Sequence, residues 1–194
     1  MILYSFMSHF LLPRTISNSV VEEKTEPITT VDGYVKPLEN SHSYFISLKD
    51  LIPLYSIQEG KTLVKGEEPN GLYSIILDST ESYSLDILKH QEINGSYLSK
   101  LSNTTASSIQ YLYKLACSYK KVYLCKPEQD CQTSSTKYVI AMHYVKYPEE
   151  GNLKIPYYFR MKLEDIHSIL GQIQLEHLRF KGPLGKNINL SYGS

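Results

Sequence analysis

Ser107 to Tyr144 reads S-S-I-Q-Y-L-Y-K-L-A-C-S-Y-K-K-V-Y-L-C-K-P-E-Q-D-C-Q-T-S-S-T-K-Y-V-I-A-M-H-Y, and this stretch decides the fold. Its first half repeats Ile109, Leu112, Leu115, Ala116 and Tyr119 with the spacing of one helix face. That period predicts a helix over 107–120 whose apolar side must bury. Val122 and Leu124, then Val139 to Met142, form short apolar runs bounded by polar residues. Such runs read as buried strands over 121–126 and 137–143. Pro127 stops the first of them, because proline cannot donate to a ladder. The polar loop Glu128 to Ser135 turns the chain back, so the two strands pair antiparallel. A helix, a strand, a loop and a returning strand close an α/β sheet.

Upstream, Leu72 to Leu77 is continuously apolar and reads as a central strand over 72–77. Ile28-Thr-Thr-Val31 is a β-branched run ending at Asp32-Gly33. It sets a carboxylate at a strand's carboxyl end, where open α/β sheets build their sites. Phe45, Leu48, Leu51, Ile52 and Tyr55 follow the helical period, predicting a helix over 44–64 that Pro53 kinks or interrupts. Ser79 to Thr105 is polar and rich in Ser and Asn, and predicts no element of its own. Met1 to Leu12 is apolar but too short to span a bilayer and lacks a basic leader, so it reads as a core strand or short helix. Leu163, Ile166, Ile169, Leu170 and Ile173 mark a last amphipathic helix before a Gly/Pro tail. The organisation expected is a leader at 1–27, an α/β unit at 28–147, and a helix with tail at 148–194.

The 194 residues suffice for one domain with a real core. Twenty basic and 20 acidic side chains cancel, so no global field attracts nucleic acid and any RNA contact is a local patch. Lys120, Lys121, Lys126 and Lys137 gather around the closing strands; they read either as that patch or as plain solvated surface. Hydrophobic residues make up 42%, which excludes a disordered chain. The 17 tyrosines suit a β-sheet better than a base-stacking surface. Cys117, Cys125 and Cys131 show neither CxxC spacing nor a neighbouring His cluster, which points to free thiols in a reducing, intracellular setting, nucleus or cytoplasm. The six histidines have no metal spacing, and no nucleophile elbow, zincin or Walker motif occurs.

Val122-Tyr-Leu-Cys-Lys-Pro127, followed by Ser134-Ser-Thr-Lys-Tyr-Val-Ile140, resembles the last strands of FtsJ-type RNA 2′-O-ribose methyltransferases, the cap-specific members above all. In that family a strand ends in Lys-Pro, a Ser- and Arg-rich loop follows, and Ser-Glu-x-Tyr opens the next strand. Asp32-Gly33 resembles the Asp-Gly that closes an earlier strand. Asn70-Gly71 before Leu72 stands where the family has Gly-Gly and a strand ending in its catalytic lysine. The separation 76 − 32 = 44 is close to the family's. The resemblance covers roughly residues 28 to 145 and implies the C-terminal half of a Rossmann-like methyltransferase.

That family moves a methyl group from S-adenosylmethionine to a ribose 2′-oxygen with a Lys-Asp-Lys-Glu tetrad, a desolvated lysine amine serving as base. By this resemblance Asp32 keeps the aspartate, and Asp32 with Gly33 would touch the cofactor. Ile76 falls on the second lysine and Thr136 on the glutamate, two lost charges. A shifted alignment restores the base as Lys89, at the end of Leu85-Asp-Ile-Leu-Lys-His90. The residues before Asp32 contain no glycine, so the cofactor loop of the family has no counterpart in this stretch. The resemblance therefore implies a truncated, degenerate methyltransferase-like domain that binds no cofactor alone and does not act alone. RNA, and a second protein supplying the missing half, are the partners it implies, with no membrane. The rival expectation is a small non-enzymatic α/β binding module or complex subunit.

Overall fold

The computed structural model describes residues 8–13, 45–102 and 104–181. In chain order these form β1 (Ser8–Leu11), α1 (Leu51–Leu54), β2 (Thr62–Val64), β3 (Tyr73–Asp78), a 3-10 turn (Asp86–His90), β4 (Gln91–Leu101), α2 (Ala106–Ser118), β5 (Tyr119–Lys126), β6 (Lys137–Tyr144) and α3 (Tyr157–Lys181). The six strands make one mixed sheet in the order β1-β5-β6-β4-β3-β2. Strands β2, β3 and β4 are parallel. Strand β6 runs antiparallel to β4 on one side and to β5 on the other. Strand β1 adds antiparallel at the β5 edge.

Thr105 starts α2 through a capping box: its Oγ1 accepts from the Ser108 amide, while the Ser108 Oγ accepts from the Thr105 amide. Ile109, Leu112, Leu115 and Ala116 then bury against one face of the sheet, beside Phe159, Leu163, Ile166 and Leu170 of α3. The other face is covered by Ile46, Leu48, Leu51 and Ile57. Side chains alternate between the two layers. Ile76, Tyr97, Val139 and Ala141 face the helices, whereas Ile75, Leu77, Leu98, Tyr138 and Ile140 face the 46–57 segment. Burial on both faces is why these strands read as continuous apolar runs.

The expected helix 107–120 and the strands 72–77, 121–126 and 137–143 correspond to α2, β3, β5 and β6. The apolar Met1 to Leu12 run contributes β1. Two stretches differ. Where a helix was expected over 44–64, only α1, four residues long, forms, and 62–64 is strand β2. The apolar residues there do cover the sheet, but from turns: Asp50 Oδ2 accepts from both the amide and the hydroxyl of Ser47. The stretch 79–105 holds β4, the 11-residue strand between β3 and β6. Its pairing jumps from Tyr73↔Gln91 to Ile75↔Ser96, so Glu92 to Gly95 bulge out of the ladder. Those polar bulge residues mask the strand. The expected strand 28–31, with Asp32 and Gly33, lies outside the described residues. Strand β1 and helix α3 share the sheet and core of the central unit, so they do not form separate layers from it.

Gly95 closes the bulge where no side chain fits. A Cβ there would lie 2.7 Å from the Ser74 carbonyl oxygen and 2.9 Å from that of Glu92, and against the Gln91 amide. Both carbonyls are backbone and cannot swing away. Gly95→Ala is expected to lower stability by about 1–3 kcal/mol in denaturant melts. An unchanged midpoint would mean that the bulge is not packed as described.

Candidate functional site at the carboxyl edge of the sheet

The parallel strands β2, β3 and β4 end at one edge of the sheet, β5 ends there too, and β6 begins there. This is the edge at which open α/β sheets bind ligands. It gathers Lys65, Asp78, Lys100, Lys126 and Thr136.

Asp78, the last residue of β3, is 2% exposed. Its carboxylate accepts from Lys65 Nζ at 2.7 Å, Tyr97 Oη at 2.9 Å, the Thr80 amide at 2.9 Å and Thr80 Oγ1 at 2.7 Å. Burial pushes its pKa up, but these donors together outweigh burial and hold it below the usual aspartate value. Tyr111 Oη donates to Tyr97 Oη at 3.1 Å and is itself bonded to Ser99 Oγ. Burial raises both phenols' pKa values, so the string is one anion with two neutral tyrosines. Lys65 also donates to Ser82 Oγ at 2.6 Å.

Across the sheet, Lys126 Nζ donates to Asp130 Oδ2 at 2.8 Å and to the Thr136 carbonyl at 2.7 Å. Burial draws the Lys126 pKa down, against the opposing pull of Asp130. Asp130 Oδ1 accepts from Tyr138 Oη at 2.9 Å and from the Ile46 amide at 3.0 Å. These bonds pin the loop between β5 and β6. Lys100, near the end of β4, is half-buried, and its ammonium has no hydrogen bond or ion pair among the described residues. It pairs with Tyr138, and Thr136 lies two residues before Tyr138. The two side chains are thus diagonal neighbours, about 7–8 Å apart, within reach of a long side chain.

The residues singled out from sequence fall differently. Ile76 is fully buried inside β3 and sits in a row with Tyr97 and Ala141. Thr136 stands before β6, beside Ser102 at 3.4 Å. Ile76 and Thr136 therefore do not meet, and Ile76 is not at a strand end. Lys89 sits in the 3-10 turn, not a strand, ahead of β4 and paired with Asp86 at 3.5 Å. It lies away from the carboxyl edge. Lys120 and Lys121 are exposed at the start of β5, while Lys126 and Lys137 are buried at its far side, 5% exposed each. The four make no single patch, because Lys120 and Lys121 stand where β5 begins, whereas Lys126 and Lys137 stand at the opposite edge, where β5 ends and β6 begins. Asp78 and Lys100 are the edge residues that sequence reasoning missed. A signal existed: Asn94-Gly95 is followed by the apolar part of a strand that ends near a lysine, the pattern sought at Asn70-Gly71.

None of the three cysteines forms a disulfide with another described residue. Among the described residues no His, Cys, Asp and Glu group is arranged to hold a metal ion, and no helix is long and apolar enough to cross a membrane.

The lowered Asp78 pKa fixes a sign. An aspartate held down in the folded state stabilises the fold above its unfolded pKa, near 4, and that stability is lost as pH falls through the folded value. Acid melts of the parent should weaken below about pH 4. Asp78→Asn should flatten part of that decline and cost about 2–3 kcal/mol at neutral pH, since it strands Lys65. Thr136→Glu combined with Lys100→Met, in a double-mutant cycle, should show a coupling of about 0.5 kcal/mol or more. Strict additivity would mean that the two positions do not meet. No protein-family model and no curated protein matches the chain, so its functional reading rests on the geometry of this edge.

Proposed function

We propose that the chain carries the closing half of an RNA ribose 2′-O-methyltransferase-type domain, of Rossmann-like descent, which binds RNA at its carboxyl edge and transfers no methyl group on its own. The observation that carries this is the position of β6, reversed between β4 and β5. An antiparallel return of the last strand on the one before it is what the resemblance implies for the close of such a sheet. Asp78 ends the strand before β4, and Asn94-Gly95 opens the strand bearing Lys100. In this register Asp78 and Lys100 take the aspartate and second lysine positions that the sequence suggested for Asp32 and Ile76. The glutamate position remains at Thr136. The separation, 100 − 78 = 22 residues, is shorter than the 44 first matched, because a 3-10 turn stands where a crossover helix would be.

The same geometry supports a chain that transfers no methyl group alone. Asp78 turns toward α2 and is satisfied by Lys65, while Lys100 belongs to the opposite face by alternation with Leu98. The pair that would activate a hydroxyl is not assembled, and threonine supplies no carboxylate. Between β2 and β3 the chain runs from Lys65 to Leu72 without a helix, so no strand-to-helix turn is offered to S-adenosylmethionine there. The cofactor half would come from a second protein or from residues outside those described. Lys100, unpaired among the described residues, is a cation that this edge offers to an RNA phosphate.

Two measurements test the reading. Calorimetric titration of the chain with S-adenosylmethionine is expected to give no binding heat, and labelled cofactor with capped RNA no incorporation. Micromolar affinity or methyl transfer would overturn the half-domain reading. Fluorescence anisotropy with a short capped RNA should show salt-sensitive binding that Lys100→Ala weakens about threefold or more. Binding indifferent to Lys100 would remove RNA from this edge.

A further inference from the structure

A pocket of about 430 Å3 lies on the helix side of the sheet, away from Lys100, between α2 and the loop that follows β3. Its volume is in the range of small-ligand sites. Ser107, Gln110, Tyr111 and Lys114 line it from α2, and Tyr83 closes it from the loop. Residues 107, 110, 111 and 114 share one helix face, and the first and last are about 10 Å apart along the axis. The site is therefore an elongated groove.

Its walls are rigid. Gln110 is held at both ends of its amide, donating to the Leu153 carbonyl at 2.8 Å and accepting from the Leu153 amide at 3.0 Å. Tyr111 is buried, and its ring meets that of Tyr83 at 5.4 Å and 47°. Tyr83 has φ 55°, a left-handed conformation uncommon for an aromatic residue. The aromatic wall is thus set by backbone strain and by the buried tyrosine string. Lys114 is half-buried and lines the groove, yet makes no hydrogen bond or ion pair with any described residue. An aromatic wall beside an uncompensated cation suits a planar, singly or doubly charged anion.

We infer that this groove is a nucleotide subsite, in which a base lies against the Tyr83 ring and its phosphate meets the Lys114 ammonium. Aromatic side chains stack unpaired bases with little regard to sequence, and one lysine supplies one phosphate contact. The subsite does not depend on methyl transfer or on Lys100, so it stands or falls apart from the function proposed above.

The test is an amide chemical-shift titration of the labelled chain with AMP, with adenosine and with inorganic phosphate as separate arms. AMP should shift the amides of Tyr83, Ser107, Gln110 and Lys114. Lys114→Gln should weaken AMP about fivefold and leave adenosine unchanged. Tyr83→Leu should weaken AMP and adenosine alike, with the retained spectrum of the core reporting that the domain is folded. Absence of shifts in the groove, or AMP affinity indifferent to Lys114→Gln, overturns the inference. Inorganic phosphate binding as tightly as AMP overturns it as well, since the base would then contribute nothing.

Discussion

Strand β6 runs against both of its neighbours, and the composition of the carboxyl edge follows from that reversal. A strand placed antiparallel between two others that run together must begin where they end. The loop from Pro127 to Thr136 is therefore brought back to the ends of β4 and β5. Tyr138 to Ala141 are fully buried, so the register cannot slip by one residue without turning the phenol of Tyr138 into the helix layer. In its proper register that phenol donates to Asp130 and to the Ile46 carbonyl, 92 residues earlier in the chain. One carboxylate, Asp130, thereby ties the return loop, the central strand and the layer covering the far face.

Two ion pairs occupy this edge. Lys65 with Asp78 lies on the helix side, and Lys126, beside α3, pairs with Asp130, whose other oxygen meets Tyr138 and Ile46 of the far face. Buried pairs add little net stability, since desolvation offsets most of the attraction, but breaking one leaves a stranded charge. Their effect here is positional. Each fixes a loop that leaves the sheet: Asp78 with Thr80 sets the start of the loop after β3, and Asp130 holds the loop after β5. Lys100 stands between these two centres with neither carboxylate turned toward it. Water can solvate it at the rim, and so a lone cation is tolerated at a place where a buried one would not be.

The sequence was legible where one physical rule dominated. Helix α2 and strands β3, β5 and β6 are buried on a whole face or on both, and their apolar spacing survives without competing demands. Strand β4 is equally buried from Tyr97 to Ser99, yet its opening residues are Gln, Glu, Ile, Asn and Gly. The bulge requires them: Asn94 has φ 63°, Gly95 admits no Cβ, and the Gln91 amide donates to the Tyr73 and Ser74 carbonyls that the bulge leaves unpaired. Backbone hydrogen bonding outweighed hydrophobic periodicity there, so the strand carrying Lys100 was hidden, and the edge was assigned to Ile76. Over 44–64 the opposite failure occurred. A helical spacing of apolar residues is equally satisfied by turns laid across a flat sheet, because the sheet asks only that each turn drop a side chain inward. Pro53 and the Ser47–Asp50 turn decide for the second arrangement.

Parallel strands usually need a helix to carry the chain back, since the connection must climb the full height of the sheet. Here β2 reaches β3 through Lys65 to Leu72, and β3 reaches β4 through a loop and the 3-10 turn. Short strands make this feasible: β2 has three residues and β3 six, so little height must be recovered. The consequence reaches the chemistry of the edge. With no α-helix starting directly after β2 or β3, no helix dipole points at a ligand from those two strand ends. Side chains and the start of α2 after β4 give the edge its field; Lys65 and Lys126 there are ion-paired, Lys137 donates to the Ser135 carbonyl, and Lys100 has no such partner among the described residues. An edge built in this way meets a ligand at the ends of β2 and β3 with side chains rather than with the start of a helix.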